Sequence, residues 1–360
     1  KISDNKAQGM VVWSSSPQVS DFIIERNEGS GLSIDGNGSG SLNPFFSNGL
    51  IRNNISSGNG GGISINMDAY PVFSNVEINS NVAINGGGIY CGMSNCNLNE
   101  VSIHTNHALN GGGVFADYFS NMQLSFCTLI RNIADYNGGG VYLNEGLINI
   151  HNCTFSLNIA GELGGGLFYN SEYNSGSNIV NTILWGNGPE EIFTQSGTPV
   201  VNYSDIAGGF PGFENINEDP LFVDPSNNNF HLLWTSFPEE TGFKSPCIDA
   251  GDPYSITDPD GTNVDMGAWY FHQDVFTSYK DYAAISEVNI YPNPAIDFIT
   301  IDGSIDYNWV RIFSLSGQEV YSGQISNSDV VDISGLNTGV YLVHIYNSND
   351  LVKTRKLLKK

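Results

Sequence analysis

The chain has 360 residues, room for two or three domains, and a formal net charge of −24. A surface this acidic repels phosphate and excludes a nucleic-acid partner, and the lack of any apolar run long enough to span a bilayer excludes a transmembrane segment. Glycine occurs 42 times and only 14% of residues are charged, as in many disordered chains, but 12% aromatic content and a strict internal period exclude disorder.

The charge is uneven along the chain. Residues 1–243 hold 5 Lys or Arg against 22 acidic residues, 5 − 22 = −17, whereas the last ten, Leu351–Lys360, hold 5 basic residues and no acid. The chain has no initiator Met and opens inside a repeat, so we expect it to be part of a longer protein whose earlier repeats and export signal precede Lys1.

From the N-terminus the chain is periodic. Triple glycines start at Gly60, Gly86, Gly111, Gly138 and Gly164, at spacings of 26, 25, 27 and 26. An apolar residue, two variable residues and an Asn precede each: Ile51–Asn54, Ile78–Asn81, Ile103–Asn106, Leu129–Asn132 and Phe155–Asn158. The same mark recurs at Ile2–Asn5, Ile24–Asn27 and Leu184–Asn187, which predicts about eight coils of a β-solenoid.

Alignment on the Asn separates inside from outside. Five residues before it stand Val76, Val101, Cys127, Cys153 and Thr182, and three before it Ile78, Ile103, Leu129, Phe155 and Leu184. Polar residues between them give the period of two that puts both sets inside. A second strand starts ten before the Asn (Cys96 and Leu98, Met122 and Leu124, Ile148 and Ile150). A third follows the glycines (Ile89 and Cys91, Val114 and Ala116, Val141 and Leu143, Leu167 and Tyr169). Three strands and three corners per coil are expected. The Asn, tolerant of left-handed angles, would stack into a column that satisfies its own amides, and the glycines would supply positive φ and close approach of rungs.

The Asn mark followed by Gly-Gly-apolar resembles polymorphic outer-membrane-protein repeats, within the pectin-lyase-like class of right-handed parallel β-helices. The resemblance covers about residues 1–188 and implies the fold, all-β; that class includes lyases, hydrolases and adhesins, so it implies no single activity. Residues 189–271 lose the period and read as a last coil and a segment capping the open sheet end. Residues 272–287 read as a polar linker. Residues 288–360 alternate about seven short strand-like runs with turns, as in a small β-sandwich.

That last run resembles the C-terminal sorting domain of the type IX secretion system of Bacteroidetes. Its marks are Tyr291-Pro-Asn-Pro294, Leu315-Ser-Gly317, Leu336–Gly339 followed by Val340-Tyr341-Leu342, and terminal Lys356–Lys360. The resemblance implies the secretion machinery as a partner, passage across the outer membrane and display on the outer cell surface.

Candidate site residues are few. The residue after each first inward position of the third strand is Tyr90, Phe115, Tyr142 and Phe168, an outward aromatic column suited to neutral glycans or cell-surface polysaccharide; Ser33 and Ser64 occupy it in earlier coils. The alternative reading of the column is a self-stacking ladder. The loop Asp258-Pro-Asp260-Gly-Thr-Asn-Val-Asp265 concentrates carboxylates and is a candidate Ca²⁺ site, or else an Asx-rich turn. Lyases of this fold use a Lys or Arg base and hydrolases paired Asp residues. Lys6, Arg26, Arg52 and Arg131 are scattered, no outward column stacks two Asp, and His104, His107 and His151 read as corner residues. The five cysteines read as buried thiols. The sequence therefore favours a non-catalytic adhesin or glycan binder, against a polysaccharide lyase or glycoside hydrolase with its machinery in earlier coils, or a structural surface stalk.

Overall fold

In the computed structural model the described residues are 1–36, 38, 42–172, 176–239, 241–273, 288–303, 308–314, 318–325, 330–347 and 350–360. Most of the expected linker and the Leu315–Gly317 mark lie outside them. The chain divides into two compact units between residues 274 and 275. No helix among the described residues is long and apolar enough to cross a membrane.

The first unit is a parallel β-helix. In the coil around Asn106 the strands are Asn95–Asn99, Ser102–His104, His107–Asn110 and Val114–Ala116. Each pairs in register with its counterpart one coil on: Cys96 with Met122, Ser102 with Thr128, His107 with Ile133 and Val114 with Val141. The first two columns merge into a fifteen-stranded sheet, because Phe45–Arg52 and Val72–Asn79 run through both. The fourth column forms an eight-stranded sheet, and the third a short four-stranded one. This short sheet occupies the stretch expected to be a corner, so a coil has four strands rather than three. Its backbone bonds are those of a ladder: the Ile133 N–H donates to the Asn106 carbonyl at 2.9 Å.

The inward sets form the core. Val76, Val101, Cys127, Cys153 and Thr182, with Ile78, Ile103, Leu129, Phe155 and Leu184, are each at most 2% exposed. The five sulfurs are free and buried.

The Asn column is a continuous ladder. Each Nδ2 donates to the Oδ1 of the next Asn, from Asn5 through Asn27, Asn54, Asn81, Asn106, Asn132 and Asn158 to Asn187, at 2.7–3.0 Å. The same Oδ1 also accepts the preceding Asn backbone N–H, as in Asn81 N–H to Asn106 at 3.0 Å. From Asn54 on, the second Nδ2 proton reaches a carbonyl of the previous coil, as from Asn106 to Ile78 at 2.9 Å. The ladder ends at Glu191, whose carboxylate takes both donors of Asn187, at 3.1 and 2.5 Å. The left-handed residue is not the Asn itself but its predecessor: Asp4, Arg26, Asn53, Ser80, Thr105, Arg131 and Leu157 have φ of 54–61°. That turn leaves the Asn amide free to aim along the axis.

Within each glycine triplet the roles divide. Gly86 and Gly111 have φ of 65° and 63°. At Gly87 a Cβ would lie 2.5 Å from the Gly112 carbonyl oxygen of the next rung, which only glycine tolerates.

After the last coil, Phe210 packs against the main core and Asn215 Nδ2 donates to the Val201 carbonyl of the last rung at 2.9 Å. The later part of the segment folds back along the outer face of the long sheet. Asn152 Nδ2 donates to the Asp265 carbonyl at 3.0 Å, and the Ala268 N–H to Thr154 Oγ1 at 3.0 Å. The cause is apolar: outward Ile183 is fully buried in a small core with Leu232, Trp234, Cys247, Ile248 and Met266.

Among the described residues the second unit has seven strands in two antiparallel sheets. Val288–Tyr291, Phe298–Gly303 and Val330–Asp332 form one; Glu319–Gln324, Trp309–Ser314, Gly339–Asn347 and Asp350–Lys359 form the other. Ile299, Ile301, Val310, Ile312, Val343, Ile345 and Leu357 fill the space between them. The basic end is thus a strand rather than a solvated tail. Asn293 clasps it: its Nδ2 donates to the Lys356 carbonyl at 2.7 Å and its Oδ1 accepts the Leu358 N–H at 2.9 Å.

Candidate functional site

The aromatic column forms in the expected register and extends to Phe193. Ring centroids are 5.8, 4.7, 4.5 and 5.4 Å apart along Tyr90, Phe115, Tyr142, Phe168 and Phe193, with interplanar angles of 5–25°. Each inner ring therefore has both faces covered by its neighbours. Phe168 is 1% exposed and Phe115 8%, which differs from the solvent-facing stripe expected from alternation. Alternation gives the side of the sheet but not the coverage by rings one rung away. The Tyr90 hydroxyl donates to Asp117 at 2.8 Å, and burial, then this carboxylate, push the phenol well above its ordinary pKa.

The carboxylates of the Asp258–Asp265 loop accept backbone N–H groups. Asp265 accepts the N–H groups of Asp249 (2.7 Å) and Phe271 (2.5 Å). Asp258 accepts that of Asp265 (2.9 Å), and Asp260 those of Thr262 (3.2 Å) and Gln273 (2.6 Å). Among the described residues no three His, Cys, Asp or Glu are placed to hold a metal ion. The hydrogen bonds of these carboxylates order this irregular segment. Burial pushes Asp265 up to about 7 and Asp258 up to about 6.

What the fold does create is a groove. The returning segment leaves a cleft of about 910 Å³ against the long sheet, with an adjoining one of about 400 Å³ that shares Asn75, Glu100, Ser102, Thr128 and Trp269. Its floor is outward polar side chains of successive rungs, with Thr128 Oγ1 bonded to Ser102 Oγ at 3.1 Å. Its wall is Trp269 tilted by 30° against His231, centroids 5.0 Å apart, beside Tyr270. Phe126, at the corner with φ of 54°, also lines the cleft and is 47% exposed. Acidic Glu77 and Glu100 are exposed in it.

His104 lies on the outward strand face in this groove, not at a corner. Its Nε2 meets Glu77 Oε1 of the previous rung at 3.0 Å and its Nδ1 meets Thr105 Oγ1 at 3.2 Å. His107 is elsewhere, on the short sheet, paired with Asp135 at 2.8 Å. The early cations are engaged. Lys1, Arg26 and Arg52 surround buried Glu25 at 2.5–2.8 Å, and Lys1, Arg52 and Arg26, in that order, hold its carboxyl down to about 2. Lys6 pairs with Glu28. Arg131 donates to Asn228 Oδ1 at 3.0 Å and the Pro225 carbonyl at 3.1 Å, on the groove wall.

The groove was missed because its wall comes from non-repeating sequence. The aromatic run Trp269-Tyr270-Phe271 was the available signal, and Glu77 and His104 become diagonal neighbours once both are counted back from their Asn.

A solenoid of stacked coils joined to a separate β-sandwich defines a class, the exported parallel β-helix protein. Residues 289–360 match the secretion system C-terminal sorting domain, and the chain is accordingly a secreted protein anchored at the cell surface. An ulvan lyase, NLR42 of Nonlabens ulvanivorans, is 24% identical over 200 residues, which cover 51% of this chain and 37% of that protein. The chain thus spans well under half the length of this relative.

Proposed function

We propose that the protein binds polysaccharide at the cell surface, and that the chain lies in the groove between the long sheet and residues 225–270. The observation that carries this reading is the aromatic wall of Trp269 and Tyr270 facing a hydroxyl-lined floor. Sugar rings present C–H faces to aromatics and hydroxyls to polar side chains. Exposed Glu77 and Glu100, with a net charge of −24, favour a neutral glycan over an anionic one. We assign the Tyr90–Phe193 rings a structural role as a ladder, since their faces are occupied.

The test is affinity electrophoresis of the full chain in gels containing neutral xylan or β-glucan, with a sulfated polysaccharide as contrast. The neutral gels should retard the protein, and Trp269→Ala should abolish retardation. Retardation only by the sulfated polymer, or unchanged by Trp269→Ala, would overturn the reading. The similarity to a polysaccharide lyase favours a second reading, cleavage of the bound chain. Its difficulty is that Arg26, Arg52 and Arg131, the bases such chemistry would draw on, are already held by fixed partners.

A further inference from the structure

We infer that the groove carries an ester-hydrolysing site formed by Thr105, His104 and Glu77. The inference deepens the glycan-binding reading, since the natural ester would sit on the polysaccharide held there. The three groups form one hydrogen-bonded line: Glu77 Oε1 to His104 Nε2 at 3.0 Å, and His104 Nδ1 to Thr105 Oγ1 at 3.2 Å. That is the relation a hydroxyl nucleophile requires, with a base in reach and a third group orienting the base. The carboxylate of Glu77 accepts the Nε2 proton, which leaves Nδ1 as the lone-pair nitrogen facing Thr105.

The line is peculiar to this coil. At the same two places the neighbouring coils have Asn79-Ser80, Ile130-Arg131 and Ser156-Leu157. The fold imposes a left-handed turn at the residue before the ladder Asn, and Thr105 adopts it at φ of 57°. A β-branched side chain is poorly suited to that conformation, so its use there is a cost that a hydroxyl function would offset. Thr105 is exposed and lines the smaller cleft with His104, Glu77 and Arg131. Arg131 stands in the same column one rung on, and its fixed guanidinium brings positive charge to that cleft, where an oxyanion would form.

The reaction balances without a cofactor. Thr105 Oγ attacks the ester carbonyl carbon and its proton passes to His104 Nδ1. The carbonyl π pair moves to oxygen, then returns as the C–O bond to the alcohol breaks, and His104 gives its proton to that alcohol. Water then attacks the acyl-threonine with His104 as base, and the collapse releases a carboxylic acid and restores Thr105. Glu77 acts as a positioning residue through His104.

The experiment uses the full chain with p-nitrophenyl acetate, which needs no glycan, and with acetylated xylan. Hydrolysis of both is expected. Thr105→Ala and His104→Gln should each lower kcat about 100-fold, the scale of acid–base assistance. Thr105→Ser should retain activity, and Glu77→Gln should lower kcat with KM unchanged. Mass spectrometry after a fluorophosphonate probe should place the adduct on Thr105. Absence of hydrolysis of both esters, or an undiminished rate in Thr105→Ala, overturns the assignment. Inhibition of small-ester hydrolysis in the parent protein by unacetylated xylan supports both readings. Small-ester hydrolysis that depends on Thr105, without any glycan retardation, sinks the glycan reading alone.

Discussion

Removing one rung of the Asn ladder at Asn106 should be among the most destabilising single changes in the β-helix. Asn106→Ala deletes four hydrogen bonds: Nδ2 to Asn132 Oδ1 (3.0 Å) and the Ile78 carbonyl (2.9 Å), and Oδ1 from the Asn81 N–H and Nδ2 (both 3.0 Å). Asn81 and Asn106 are fully buried, so water does not replace the lost partners. At about 1 kcal/mol for each bond the loss is about 4 kcal/mol, before any cost of stranded donors. For a unit of this size that lowers Tm by about 10 °C. Asn106→Asp should do worse: it still accepts from Asn81 but sets an anion against the Asn132 and Ile78 oxygens. The exposed Asn97→Ala is the control and should stay within about 0.5 kcal/mol of the parent. Thermal melts followed by circular dichroism decide it. An Asn106→Ala protein melting within about 2 °C of the parent would refute the ladder as a stabilising element.

Other predictions follow from the same geometry. Burial raises Glu191 and Asp265 to about 7 and Asp205 to about 6, so the folded chain keeps protons the unfolded chain releases. Their contribution is full below the ordinary values of 4.5 and 3.8 and is lost as pH rises toward 7, so Tm should be higher at pH 5 than at pH 8, and Glu191→Gln should flatten that slope. Asp4 and Glu25, held down to about 2, act oppositely, and their stabilisation is lost as pH falls below about 4. Phe115→Ala, which breaks stacking at 5.8 and 4.7 Å, should cost about 3 kcal/mol and leave glycan retardation intact, the reverse of Trp269→Ala. Deletion of 288–360 should leave the β-helix melt unchanged and keep the protein inside the cell, and Asn293→Ala, which frees the last strand, should reduce surface display measured by protease accessibility.

The solenoid was legible because its determinants are local and repeated. The Asn mark does the same job in all eight coils and the glycine triplet in five, so the occurrences reinforce one reading. The placement of the left-handed residue was not, because Asp4, Arg26, Thr105 and Leu157 share no side-chain property; the turn is imposed by the fold. The aromatic column was legible as a register but not as a ladder, since coverage depends on neighbouring rungs. The groove was least legible. It exists because outward Ile183 draws the returning segment onto the sheet, a tertiary contact between sequences that share no period. In the sorting unit the Tyr291–Pro294 and Lys356–Lys360 marks were read separately, and only the structure joins them through Asn293.

If the groove on the long sheet seats a polysaccharide, hydrogen–deuterium exchange of the full chain with and without a retarding neutral glycan should show it. Added protection is expected at 102–105, at 126–131 and across 254–270. Protection confined to 89–92, 114–116 and 141–144, the strands that carry the stacked rings, would contradict it.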